Sequence, residues 1–139
     1  MQHIVYCDSK AGELNKLLNG SKTMMIRGAA GRKLPHGRVN EGEIVYLIEN
    51  DSSGLIRARA VVSDTIHSDR LSPVESESLI REQMDRLQLT DSQLKRWSEK
   101  RYLCLIGLRD VTAIEPFSYE RTKSMDDWIM LENIESVKK

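Results

Sequence analysis

The 139-residue sequence predicts an α+β domain, a curled sheet or barrel of mostly antiparallel strands with helices at its ends. Strand signals come in adjacent pairs instead of alternating with single helices, which argues against a doubly wound parallel sheet. A pair of capped helical segments interrupts those strands over residues 72–100. No repeat, low-complexity tract or linker composition divides the chain, so one domain is expected over residues 1–139.

The elements follow in order. Residues 3–7 (HIVYC) read as a first strand. Asp8 or Ser9 can cap a short helix carrying Leu14, Leu17 and Leu18 at helical spacing, and Gly20 ends it where a left-handed stop costs little. Residues 23–27 read as a second strand, and residues 28–40, with three glycines and a proline, as a loop. Residues 43–49 (EIVYLIE) are continuously apolar, as in a strand covered on both faces. The turn chemistry of residues 50–54 (NDSSG) makes a hairpin into residues 55–62, where Ile56, Ala58, Ala60 and Val62 face the core and Arg57 and Arg59 face away.

Two capping boxes open the helical pair. Ser72 precedes Pro73 at the first helical position and Glu75 three residues on; Thr90 and Gln93 repeat the pattern. Residues 101–114 (RYLCLIGLRDVTAI) give the longest strand signal, with Gly107 as a point of bending or division. Ser124 is expected to cap a last helical turn that brings Trp128 and Ile129 onto the core, and residues 135–139 are expected to fray.

Composition removes several classes of function. Lysine plus arginine and aspartate plus glutamate both number 21, so global charge does not announce a polyanion partner. Cys7 and Cys104 sit in apolar runs and read as buried reduced thiols, too few for a disulfide framework. His3, His36 and His67 are dispersed and form no ligand motif, so neither metal nor organic cofactor is implied. No leader pattern and no apolar run of membrane-spanning length is visible, giving a cytoplasmic, non-membrane expectation. The sequence sets no oligomeric state.

Local clustering is more informative. Arg27, Arg32, Lys33, His36 and Arg38 follow one another without an intervening acid, among Gly28, Gly31 and Gly37. Such a loop can bring backbone and cations close to an anion, phosphate above all. The GxxxxGK[ST] order of a nucleotide-binding P-loop is missing. Of the seven aromatic residues, Tyr6, Tyr46 and Tyr102 lie in strand runs and read as core, whereas Trp97, Tyr119 and Trp128 are the candidates for stacking on a base.

Gly20-Ser21-Lys22-Thr23 followed by Ile26-Arg27 resembles the GxKT-x-x-x-R signature of ASCH domains, in the PUA-like superfamily. Residues 41–46 (EGEIVY) resemble that family's strand entry, with Glu43 in place of the usual aspartate, and Pro116-Phe117 fits a later pair. The resemblance spans roughly residues 17–117. It implies a PUA-like curled β-barrel with a helical insertion, a cleft lined by the Lys22-Thr23 turn, and RNA or a nucleotide-like ligand as partner. Some bacterial members are implicated as amidohydrolases of acetylated cytidine nucleosides, with a Lys/Thr/Glu arrangement. Lys22 matches their lysine, but Met25 stands where their threonine lies, and Glu75, Glu77 and Glu82 are the candidate carboxylates.

The leading expectation is therefore RNA or nucleotide binding. Lys22, Thr23 and Arg27 orient the ligand, and Arg32, Lys33 and Arg38 hold phosphates. The alternative is a small amidohydrolase in which Lys22 activates Thr23 or a water and Glu82 moves the proton. A second alternative is a protein-interaction module that docks through the insertion.

Overall fold

The computed structural model of the chain describes residues 1–121 and 126–139. Strands β1 (Gln2–Cys7), β2 (Met24–Ala29), β3 (Ile44–Glu49), β4 (Leu55–His67), β5 (Tyr102–Ser118) and β6 (Trp128–Leu131) form one sheet in the order β2-β5-β4-β3-β1-β6. Only β1 and β3 pair in parallel; the other four pairings are antiparallel. Helix α1 (Glu13–Leu18) follows β1, and α2 (Pro73–Glu82), α3 (Met84–Leu87) and α4 (Asp91–Ser98) fill the stretch between β4 and β5. This is the expected α+β architecture, a curled half-barrel with a helical insertion.

The curl is measurable from one side chain. Three strands separate β2 from β1 in the sheet order. On a flat sheet, four spacings of about 4.8 Å would hold them roughly 19 Å apart. Yet Arg27 on β2 donates from Nη2 to the backbone oxygen of Tyr6 on β1 at 2.6 Å. Arg27 thus staples the seam of the half-barrel.

Strand alternation sorts the apolar residues onto two faces. Val5, Met25, Val45, Ala58 and Ile106 point inward and pack with Leu14 and Leu17 of α1. Met24, Ile26, Leu103 and Leu105 point outward under Ile80, Leu87 and Trp97 of the insertion. Ile4, Ile48 and Ile56 point outward at the other edge, under Tyr119 and Ile134. Both faces are covered, which is why residues 44–48 are apolar without a break.

Both capping boxes form as read, at Ser72/Glu75 and Thr90/Gln93. Elsewhere the structure corrects the sequence reading. Asp8 does not cap α1; its carboxylate accepts from the amides of Lys10 and Ala11, and Gly12 at φ 63° begins the helix. The insertion holds three helices, not two. Gly107 does not divide β5, because it pairs with Met24 on one side and Asp64 on the other. The left-handed residue of that strand is Asp110, at φ 54°. Trp128–Leu131 is a strand on β1, not a helical turn, and the capping Ser124 lies outside the described residues. The tail is not frayed: Ile134 is buried, Tyr119 bridges to Lys138, and the amide of Lys139 donates to the oxygen of Ser118.

Among the described residues, no helix is long and apolar enough to cross a membrane.

Candidate ligand cleft

The seam stapled by Arg27 opens into a cleft of about 700 Å³, within the range of small-molecule sites. One part of its lining comes from β1 and the C-terminal stretch: Tyr6, Tyr119, Arg121 and Asp127. Another comes from α4, as Gln93, Arg96 and Trp97. Glu13 and Arg27 join them, and Lys10, Asn50 and Ser52 add polar groups.

Arg27 is held tightly. Nη1 donates to the oxygen of Ile26 at 2.8 Å, Nη2 to Tyr6, and Nε lies 3.2 Å from Asp127 Oδ2. Its guanidinium sits 6.0 Å from the Trp97 ring centre and 5.7 Å from that of Trp128. Of the five donors a guanidinium carries, two go to the Ile26 and Tyr6 oxygens, while the buried Nε makes its ion pair with Asp127 without a hydrogen bond. Tyr6 and Tyr119 bring their hydroxyls to 2.5 Å, and Arg121 Nη1 donates to the Tyr6 oxygen at 2.9 Å. Burial first, and then the Tyr6 hydroxyl, raise the Tyr119 phenol above its ordinary value, so it stays protonated.

The remaining sequence candidates scatter. Lys22 does not enter the cleft: it is 1% exposed, donates to the backbone oxygen of Leu87, and lies 3.6 Å from Glu13 Oε2. Burial lowers its pKa, partly countered by Glu13. Glu13 therefore stands between Lys22 and the cleft. Thr23 is half-buried, its amide donating to the oxygen of Arg86, and it is absent from the cleft lining. Met25 is fully buried in the core, and Glu82 is exposed at the last residue of α2, away from the lining. Glu75 is occupied in its capping box and Glu77 with Arg81 at 3.0 Å.

The basic loop does not converge on one point. Arg32 lies 3.7 Å from Asp69 and over the Tyr102 ring, Arg38 is exposed, and neither borders the cleft. Lys33 reaches Asp126 at 3.7 Å and borders a second hollow of about 270 Å³. The loop is docked by His36 Nε2 on the oxygen of Ser68 at 2.6 Å and by the amide of Gly37 on His67 Nδ1 at 2.9 Å.

Sequence reasoning missed Glu13, Arg96 and Asp127. Glu13 and Asp127 gain their places from partners far along the chain, Gln93 and Arg27, and Arg96 lies over the ring of its neighbour Trp97. Gln93 was legible as a cap but not as a buried group 3.5 Å from Glu13 and 3.4 Å from Asp8. The cysteines are buried and free, and burial pushes Cys104 up to about 12. Among the described residues, no group of three or more His, Cys, Asp and Glu side chains is placed to hold a metal. Val74, 74% exposed, is the only large apolar residue the insertion exposes among the described residues, which makes no patch.

Crystal structures of ASCH from Zymomonas mobilis share this architecture. A serine-to-alanine variant superposes with a TM-score of 0.73 at 13% identity, covering 97% of this chain and 91% of that one. The unsubstituted protein gives 0.70 at 13% identity, covering 97% and 90%. The chain has an ASCH-domain fold. No protein family matches the sequence itself, and no curated protein is significantly similar to it. The ASCH fold of this chain thus stands on backbone architecture, with its cleft at the seam of the half-barrel.

Proposed function

We propose that this is a cytoplasmic protein that binds RNA or a nucleotide-like ligand in the seam cleft. One observation carries the reading: an open cleft with a fixed guanidinium lying over the rings of Trp97, which lines the cleft, and Trp128, bordered by the paired hydroxyls of Tyr6 and Tyr119. Planar bases are held by aromatic faces, guanidinium planes and directed hydrogen bonds, which is what this lining offers. Cations and carboxylates balance there, with Lys10, Arg27, Arg96 and Arg121 against Asp8, Glu13, Glu49 and Asp127. That balance suits an uncharged nucleoside better than bare phosphate.

The test is titration of the protein with a short single-stranded RNA, read by tryptophan fluorescence at two salt concentrations. Binding should weaken as salt rises through counterion release. Arg96→Glu, at an exposed position bordering the cleft, should reduce affinity about tenfold or more. Saturable binding that ignores this reversal of charge would place the ligand elsewhere.

A second reading, removal of an acyl group from a modified nucleoside, has one observation in its favour. The carboxylate of Glu13 faces the cleft while touching the buried ammonium of Lys22, an arrangement able to take a proton from water as it attacks an amide carbon and return it to the departing nitrogen. Hydrolysis of acetylcytidine would release acetate and cytidine. Turnover unchanged in Glu13→Gln would exclude this arrangement.

A further inference from the structure

The cleft does not end at α4. Arg27, Arg96, Trp97 and Asp127 border both the cleft and the second hollow, so the two compartments share a wall. Their charge differs. In the hollow, Lys33 is paired with Asp126 and Arg27 with Asp127, and among the described residues Arg96 and Lys100 have no carboxylate partner. Arg96 lies over the Trp97 ring at 4.5 Å, on the shared wall. Lys100 is placed by its backbone, whose amide donates to the oxygen of Trp97 at 3.0 Å and whose oxygen accepts from Ser76 Oγ at 2.7 Å.

Gly28 makes room for that lysine. A Cβ at Gly28 would come within 2.9 Å of Lys100 Cβ and 2.8 Å of Leu103 Cδ2. The absence of a side chain lets the Lys100 stem lie against β2, at the floor of the hollow, where Ala29 and Ala30 are also small.

We propose that the cleft and the hollow form one two-compartment site for a nucleoside that carries a phosphate. The nucleoside occupies the neutral cleft, and the phosphate crosses the Arg96–Trp97 wall into the hollow, where Lys100 and Arg96 bind it. The phosphate belongs either to a free nucleotide or to the next link of a chain. This inference rests on the nucleotide reading of the cleft and adds to it the phosphate compartment and the lysine that defines it.

Calorimetry with uridine, 3′-UMP, 5′-UMP and the dinucleotide UpU tests it. At least one phosphate-bearing ligand should bind on the order of tenfold more tightly than uridine. A gain limited to UpU identifies a chain, and an equal gain for a UMP identifies a free nucleotide. Lys100→Ala should collapse the ratio of phosphate-bearing to uridine affinity towards one, and Lys100→Arg should keep it. Equal affinity for uridine and all three phosphates, or a ratio untouched by Lys100→Ala, overturns the phosphate compartment while leaving the cleft reading intact. No binding of any of the four overturns both.

Discussion

Replacing Lys22 by methionine should destabilise the fold by about 3–5 kcal/mol, the usual consequence of removing one partner of a buried ion pair. The geometry gives the same scale. At 3.6 Å from Glu13, and with an effective dielectric of about 20, the attraction is about 4–5 kcal/mol. Its removal leaves Glu13, only 5% exposed, without its cation and leaves the Leu87 oxygen without its donor. Glu13→Gln alone strands the ammonium instead. The double variant strands neither charge, so its loss should fall short of the summed singles by about 2–3 kcal/mol. Urea denaturation at pH 7, followed by tryptophan fluorescence, measures all three variants. Additivity within about 0.5 kcal/mol would refute the coupling. The pH dependence gives a second check. Burial holds the Lys22 pKa below 10.5 in the fold, so between its lowered value and 10.5 the unfolded chain binds more protons. Stability therefore gains a positive contribution with rising pH across that window, and Lys22→Met should lack it.

Two further expectations concern other contacts. A Cβ at Gly107 would overlap the carboxylate of Asp64 and the guanidinium of Arg86, which form a bidentate pair at 2.6 and 2.9 Å. Gly107→Ala should cost about 1 kcal/mol by parting that half-exposed pair, and should add little when Arg86→Ala is already present, as thermal melts will show. His3 accepts from Trp128 Nε1 at 3.1 Å through Nδ1 and donates to Glu43 at 2.9 Å; burial holds its pKa below 6.5, against the pull of Glu43. The stability it contributes is complete above 6.5 and fades as pH falls through its lowered value. His3→Gln should flatten the denaturation midpoint across that interval; an unchanged slope would contradict the assignment.

The parts of the fold written in neighbouring residues were legible. Ser72, Glu75, Thr90 and Gln93 cap within four residues, and the alternation of Ile56, Ala58, Ala60 and Val62 needs only the pleat of one strand. Contacts between distant segments were not. Lysine is usually solvated, and nothing near Lys22 reveals that Glu13 of α1 and the Leu87 oxygen of α3 enclose it. Four apolar residues at Trp128–Leu131 suit a helical turn or a strand equally; the free edge of β1 decides. In the cleft, the GxKT…R pattern led to Arg27 but could not show that it spends its donors on the seam. The basic loop was read as one cluster, yet Arg32 and Lys33 close on different carboxylates, Asp69 and Asp126.

The seam has a consequence for biosynthesis. Tyr6 leaves the ribosome more than a hundred positions before Tyr119 and Asp127, which complete the cleft lining with it. The nascent polypeptide must carry an unpaired edge on β1 until β6 arrives to cover it. The seam cleft is consequently a late product of translation, and a message truncated before the codon for Asp127 would yield a chain that lacks part of its wall.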